Sequence, residues 1–198
     1  AKGVLYDALY SESFREALLG FMSGKRKLKG GAGALSVSRS QQLRLLHEDG
    51  AATISSRVLK TEQSNSSILY REAYFFKLYR KLESGVNPDV ELIRLLSERR
   101  KFKHVPPFAA HIQYNRGSSA PASFGLLASF VPNEGDAWHQ TESTVERYFE
   151  ALLARKSELG APQTGSGSPF DVVAEQLPEW FLELEDGFYL DMMKLLGQ

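Results

Sequence analysis

No cysteine occurs among the 198 residues. That excludes disulfides and thiolate metal sites at once. A prevailing charge is missing too: 24 Lys and Arg stand against 24 Asp and Glu. Such a balance gives no footing for a nucleic-acid partner or a polybasic membrane anchor. No apolar run approaches the ~20 residues that cross a bilayer. The opening AKGVLYDALYSESFREALLGFM has no uninterrupted apolar stretch of the signal-peptide kind. His47, His104, His111 and His139 are scattered without ligand-like spacing, so no metal site is expected of them. What remains is a globular chain, 42% apolar and 11% aromatic, expected in the cytoplasm. It has material for one substantial core or two small ones. The chain starts at Ala rather than Met, and the expectation is a piece of something longer.

Residues 4–22 place Leu5, Leu9, Phe14, Leu18, Leu19 and Met22 at intervals that predict an amphipathic helix. The basic, glycine-rich GKRKLKGGAGAL follows. A phosphate loop of the Walker kind needs four residues between its glycines and Ser or Thr after the lysine. Gly20 to Gly24 leaves three, Arg26 follows Lys25, and Gly31-Ala32-Gly33 lacks the third glycine of a dinucleotide fingerprint. A turn leading into the first strand of a small sheet fits better. Residues 35–47 and 51–60 have strand-like character.

From residue 53 to 131 the pattern sharpens. SSRVLKTEQ, SSILYRE and AYFFKLYRKL predict three strands, with Ser64, Asn65 and Ser66 forming a turn. Ser84-Gly85 breaks the pattern. Asn87 then suits an N-cap, Pro88 the first helical position and Asp89 the positive end of the helix dipole. KHVPPF forces extended backbone, and FAAHIQYN and ASFGLLASFV predict two further strands. The order is strand, strand, strand, helix, strand, strand.

Lys77 is misplaced within this order. In a strand it shares a face with Phe75 and Tyr79, while Tyr74, Phe76 and Leu78 line the other. On a wheel of about 100° per residue, Leu92, Ile93, Leu95 and Leu96 form the apolar stripe of the helix, and Glu91 falls on its margin. From there a carboxylate can reach inward. Two readings account for the lysine: it pairs with Glu91, or it snorkels to water while Glu91 meets solvent or Lys81.

Three strands, a helix and two strands, with a strand lysine followed by a helix glutamate, resemble the N-lobe of the protein-kinase-like fold. TEQSNSSILY, FKLYRKLESGVNPDVELIRLLSER, HVPPF and FVPNEGDAW more narrowly resemble the maltokinases. These are ATP-dependent maltose 1-phosphotransferases related to aminoglycoside phosphotransferases, and in many bacteria they are fused to the C-terminal end of trehalose synthase. The opening LYDAL is similar to the start of that fused domain. The likeness runs over most of residues 1–150 and is most specific from Glu62 to Trp138.

The resemblance implies ATP and Mg2+ as cofactors, maltose as substrate and association with a trehalose synthase. Lys77 would be the phosphate-binding lysine and Glu91 its partner. Gln63, Ser64, Asn65, Ser66 and Ser67 would cover the phosphates in a turn, reading SNSS where family members often read SNTS. Ser129, Phe130 and Val131 would form the hinge that meets adenine. Pro132 lacks an N–H, so the donor would come from Val131 or from Asn133 onward.

The family's catalytic aspartate follows an HGD-type pattern on a second lobe. None of Asp7, Asp49, Asp89, Asp136, Asp171, Asp186 and Asp191 follows a His-Gly or His-Arg pair, and no DFG-like triplet is present. Catalytic residues and magnesium ligands are therefore expected beyond Gln198, and this chain alone is expected to be inactive. The expected architecture is α+β: an α/β cap over residues 1–62, a kinase-like lobe of five antiparallel strands and one helix over 63–131, and a hinge with the helical start of a second lobe over 132–198. In that last part Val145, Tyr148, Phe149, Leu152 and Leu153 share a helix face, and GAPQTGSGSPF is low-complexity. The apolar residues of 178–196 either pack on a missing lobe, drive self-association, or form a core of their own. A reading of another class is a non-catalytic docking or regulatory module attached to a trehalose synthase.

Overall fold

The computed structural model describes residues 3–24, 27–41, 43, 55–59, 65–159 and 187–196. Alternating apolar residues supply the strands β1 (Leu28–Lys29), β2 (Ala34–Arg39), β3 (Ser56–Leu59), β4 (Asn65–Tyr70), β5 (Tyr74–Tyr79), β6 (Phe108–Asn115) and β7 (Ala122–Ser129). The helices are α1 (Glu12–Ser23), α2 (Pro88–Arg94), α3 (Ala137–Ala154), α4 (Lys156–Leu159) and α5 (Gly187–Leu196). A π-helical turn, Leu95–Arg99, continues α2. The chain divides into compact units at Pro132 and Asn133.

All described strands join one antiparallel sheet in the order β1-β2-β6-β7-β5-β4-β3. The expected order of three strands, a helix and two strands is present as β3, β4, β5, α2, β6 and β7. The sheet has seven strands rather than five, because β1 and β2 extend it past β6. An unpaired β6 would leave a row of open amides and carbonyls; β2 covers it from Ala34↔Asn115 to Arg39↔Ala110.

Asn65, Ser66 and Ser67 lie in β4, opposite Tyr79, Leu78 and Lys77, and not in a turn. Ladder pairing with β5 outweighs the turn preference of short polar residues. Gln63 and Ser64 lie outside the described residues. At the amino end, the expected helix over 4–22 starts late. Val4 and Leu5 are exposed, a short 3-10 turn runs Ala8–Tyr10 beneath an Asp7 cap, and α1 then begins at Glu12. Strand character in 35–47 stops at Arg39, and 44–54 lie outside the described residues.

Each face of the sheet has a helix and its own core. On one face Ile68, Tyr70, Phe76, Ile112 and Leu127 meet Leu19, Phe21 and Met22 of α1. On the other, Tyr79, Phe108 and Leu126 meet Val90 of α2. Arg15 ties α1 down: Nη1 donates to the Leu9 carbonyl at 2.8 Å, and Nε and Nη2 donate to the hydroxyl and carbonyl oxygens of Ser56. The Tyr70 hydroxyl returns a bond to the Arg15 carbonyl at 3.0 Å, and burial pushes its pKa up. Gly33 answers to packing rather than to phosphate. A Cβ there would lie 2.5 Å from the Asn115 carbonyl oxygen and 2.7 Å from the Tyr114 hydroxyl. No described helix is long and apolar enough to cross a membrane.

The β4–β5 turn stores strain. The Ala73 amide donates to the Tyr70 carbonyl at 2.9 Å across Arg71 and Glu72, both at φ 51°. Two left-handed residues in a hairpin turn ordinarily read Asn-Gly. Replacing Arg71→Asn together with Glu72→Gly should raise unfolding free energy by about 1 kcal/mol. Urea denaturation measures this, and a loss of stability would mean the turn relaxes another way.

Candidate functional site

The lysine singled out by the sequence stands where expected, on β5 in the face turned to α2. Its cross-strand neighbours are Ser67 and Leu126, so its ammonium leaves the sheet among apolar and small groups. The side chain is only a quarter exposed. It has an acidic partner, and that partner is not Glu91. Lys77 Nζ donates to Asp89 Oδ2 at 3.0 Å. Glu91 is exposed.

The phase of α2 explains the correction. Val90 is 1% exposed and Ile93 packs beside it, whereas Leu92 is 54% exposed. At about 100° per residue, the Val90–Ile93 direction lies about 130° from Glu91 and about 70° from Asp89. The leucines that suggested the opposite phase lie at or after Leu92, and from Leu95 the helix widens into a π turn, where the wheel no longer holds. Asp89 was legible at the helix start as a dipole-favoured acid. Counting Val90 in the stripe would have turned it inward.

Serine hydroxyls hang both ends of α2 from the sheet. Asn87 caps the helix by accepting the Asp89 amide at 2.9 Å, and its own amide donates to Ser123 Oγ at 2.8 Å. At the far end Ser97 Oγ donates to the Ile93 carbonyl and accepts the Phe108 amide at 3.1 Å. The Arg94 guanidinium lies over the Phe108 ring, 5.3 Å from its centroid. Beneath this layer His111 is 1% exposed, with Nε2 at 3.0 Å from Ser123 Oγ. Burial, and then the Arg94 charge, push its pKa down to about 4. His111 and Ser123 carried no motif in the sequence; only the strand register brings them under the helix start.

The other expected residues divide. Ser67 is fully buried beside Lys77, with a hydroxyl that has no hydrogen-bond partner. The Ser129 amide donates to the Pro107 carbonyl and the Phe130 amide to the Ala73 carbonyl, so neither serves as an adenine donor. Val131 is half exposed at the end of the same unit. Among the described residues no group of acids and histidines could hold a metal ion. The donor set here does not fit Mg2+.

In the unit that begins at Asn133, Asp136 caps α3 by accepting the His139 amide, and its carboxylate lies 2.8 Å from His139 Nδ1. Of the face expected there, Val145, Phe149 and Leu153 are exposed, and Thr144 is buried instead. Thr141 meets the Tyr189 hydroxyl of α5 at 3.1 Å.

Set against known protein families, the chain matches none. Among solved structures it is similar to a glucosamine kinase in complex with glucosamine, ADP and inorganic phosphate. That likeness has 18% identity and a TM-score of 0.45, covering 76% of this chain and 34% of that one. A second crystal form of a glucosamine kinase gives 16% identity and a TM-score of 0.36, over 68% of this chain and 40% of that one. The chain thus spans about a third of the first protein's length, and an overlap of this order carries no argument of its own.

Lys77 and Asp89 should show a coupling of about 1 kcal/mol in a double-mutant cycle of Lys77→Met and Asp89→Leu, near the top of the range for partly exposed pairs. The cycle of Lys77→Met with Glu91→Leu should give none. Urea unfolding of these variants decides which acid serves the lysine.

His111 sets a pH dependence. It is neutral in the fold down to about pH 4, while the unfolded side chain protonates near its ordinary value of 6.5. Above pH 6.5 both states are neutral and nothing is lost. Between 6.5 and about 4 the unfolded state binds the extra proton, so stability falls as pH drops, by about 3 kcal/mol in all. Unfolding curves of the native chain and of His111→Gln across that window should differ in slope; parallel curves would show that the imidazole titrates alike in the folded and unfolded states.

Proposed function

We propose that the unit ending at Pro132 is the nucleotide-binding lobe of a kinase-like sugar phosphotransferase, of the maltokinase kind, acting on maltose with ATP. One observation carries this reading. The strand before the helix presents a partly shielded lysine to the covered side, and an acid on that helix holds it. Protein kinases use such a pair, with the lysine on the third strand of the lobe and its acid on the following helix, to hold the α- and β-phosphates. Here the acid is Asp89, at the start of the helix rather than a turn further on.

The lysine suits the role. An ammonium carries a full positive charge and only donors, which suits Lys77 to meet phosphate oxygens as it meets the Asp89 carboxylate. A quarter-exposed position on an apolar face strengthens its attraction for an anion relative to open water. The Asp89 carboxylate also keeps the ammonium oriented before nucleotide arrives. Bound ATP would supply the transferable phosphoryl group; this chain's own contribution is to place phosphates against Lys77. The Ser129 and Phe130 amides are engaged and do not serve adenine. Magnesium enters no step among these residues. Orientation of the sugar hydroxyl and removal of its proton fall to groups other than Lys77 and Asp89. Association with a trehalose synthase remains part of the proposal through the resemblance of the opening segment alone.

ATP should raise the melting temperature of the chain, and Lys77→Met should remove that effect while Arg80→Ala, at an exposed neighbour, retains it. No ATP-dependent shift at millimolar nucleotide would favour the docking-module reading. Incubation with ATP, Mg2+ and maltose should give no maltose 1-phosphate, because a positioned general base is worth ~10²–10⁴-fold and no aspartate of the sequence follows a His-Gly or His-Arg pair.

A further inference from the structure

A continuous line of hydrogen bonds crosses the covered face of the sheet. It runs from His111 on β6 to Ser123 on β7, then to the Asn87 amide, from the Asn87 side chain to the Asp89 amide, and from Asp89 to Lys77. The spacings are 3.0, 2.8, 2.9 and 3.0 Å. We propose that Ser123 and His111 are positioning residues for Lys77: they hold the cap of α2 against the sheet so that Asp89 stays on the ammonium. Neither touches the lysine, and neither belongs to the strand or helix that carries the pair.

Burial makes this line directional. Ser123 is 4% exposed and His111 1%. A serine hydroxyl is a free rotor until something fixes it. Bonding to the imidazole fixes this one and leaves a lone pair for the Asn87 amide, whichever partner supplies the proton. A seven-residue helix has little stability of its own, so its phase depends on how its first residue is held. Val90 sets the depth of the helix and Ser123 sets the position of its start. The loop before it has a separate anchor, the Gly85 amide on the Pro121 carbonyl at 3.0 Å. Removing the Ser123 hydroxyl therefore frees the cap without freeing the loop.

The consequence for phosphate binding rests on the reading of Lys77 given above; the positioning itself does not, and it can be tested with no nucleotide present. Side-chain ¹⁵N spectra of lysine ammonium groups report the pair directly, with the Lys77 signal assigned by its loss in Lys77→Arg. Asp89→Asn defines the signal of a Lys77 that has lost the Asp89 carboxylate. Ser123→Ala should move the native signal at least halfway to that position. In the same variant the Asn87 amide should exchange about fivefold faster, as expected for one hydrogen bond of about 1 kcal/mol. His111→Asn, which removes the ring but keeps a polar group, should give a shift of the same sign and serves if Ser123→Ala does not fold. A Lys77 signal unmoved in a folded Ser123→Ala or His111→Asn protein overturns the proposal, even where stability falls, since a merely structural pair would cost stability without touching the lysine. If the signal moves as stated and ATP still fails to bind, the positioning stands and the nucleotide reading falls.

Discussion

Strand β5 is covered on both faces, and the rest of the lobe follows from that constraint. It lies inside the sheet, between β4 and β7. Phe76, fully buried, points into the core under α1, and Tyr79, 5% exposed, into the core under α2. A strand in that position has no wet side on which to leave a charge cheaply. Its lysine therefore needs an acid from the layer above, and α2 must lie close enough to provide one. The opposite face is packed as tightly under α1: at Gly125, across from Leu78 on β7, a Cβ would lie 2.4 Å from the Phe76 ring.

The placement of α2 is set by contacts at its ends more than by its own sequence. Its interior offers Leu92 on a different side from Val90 and Ile93, and Leu92 is left largely exposed. What fixes the phase is Val90 in the core, the Asn87 amide on Ser123, and Ser97 on the Phe108 amide. Between these anchors the helix passes into the π turn over Leu95–Arg99. Widening there moves the later leucines off the stripe that a regular wheel assigns them.

Strands β1 and β2 of the N-terminal segment join the same sheet. β2 pairs with β6 along six residues, and α1 closes the face beneath. Arg15 makes that closure specific. It is 8% exposed and satisfied by carbonyl and hydroxyl oxygens from two elements, a geometry that α1 can reach in one orientation. An edge that the five-strand expectation left open is thereby paired.

From sequence alone, local rules were enough for the strand-strand-strand-helix-strand-strand order, the Asn87-Pro88 helix start, and the two faces of β5 with Lys77 on that of Phe75 and Tyr79. Those features depend on neighbours within a few residues, where alternation and capping act. The partner of Lys77, the strand state of Asn65–Ser67, the engagement of the Ser129 and Phe130 amides, and the alignment of His111 with Ser123 were decided only by tertiary structure. Each of these depends on register between strands or on the rotation of a helix about its axis. Both quantities are set by packing between segments far apart in the chain, where no local pattern reports them.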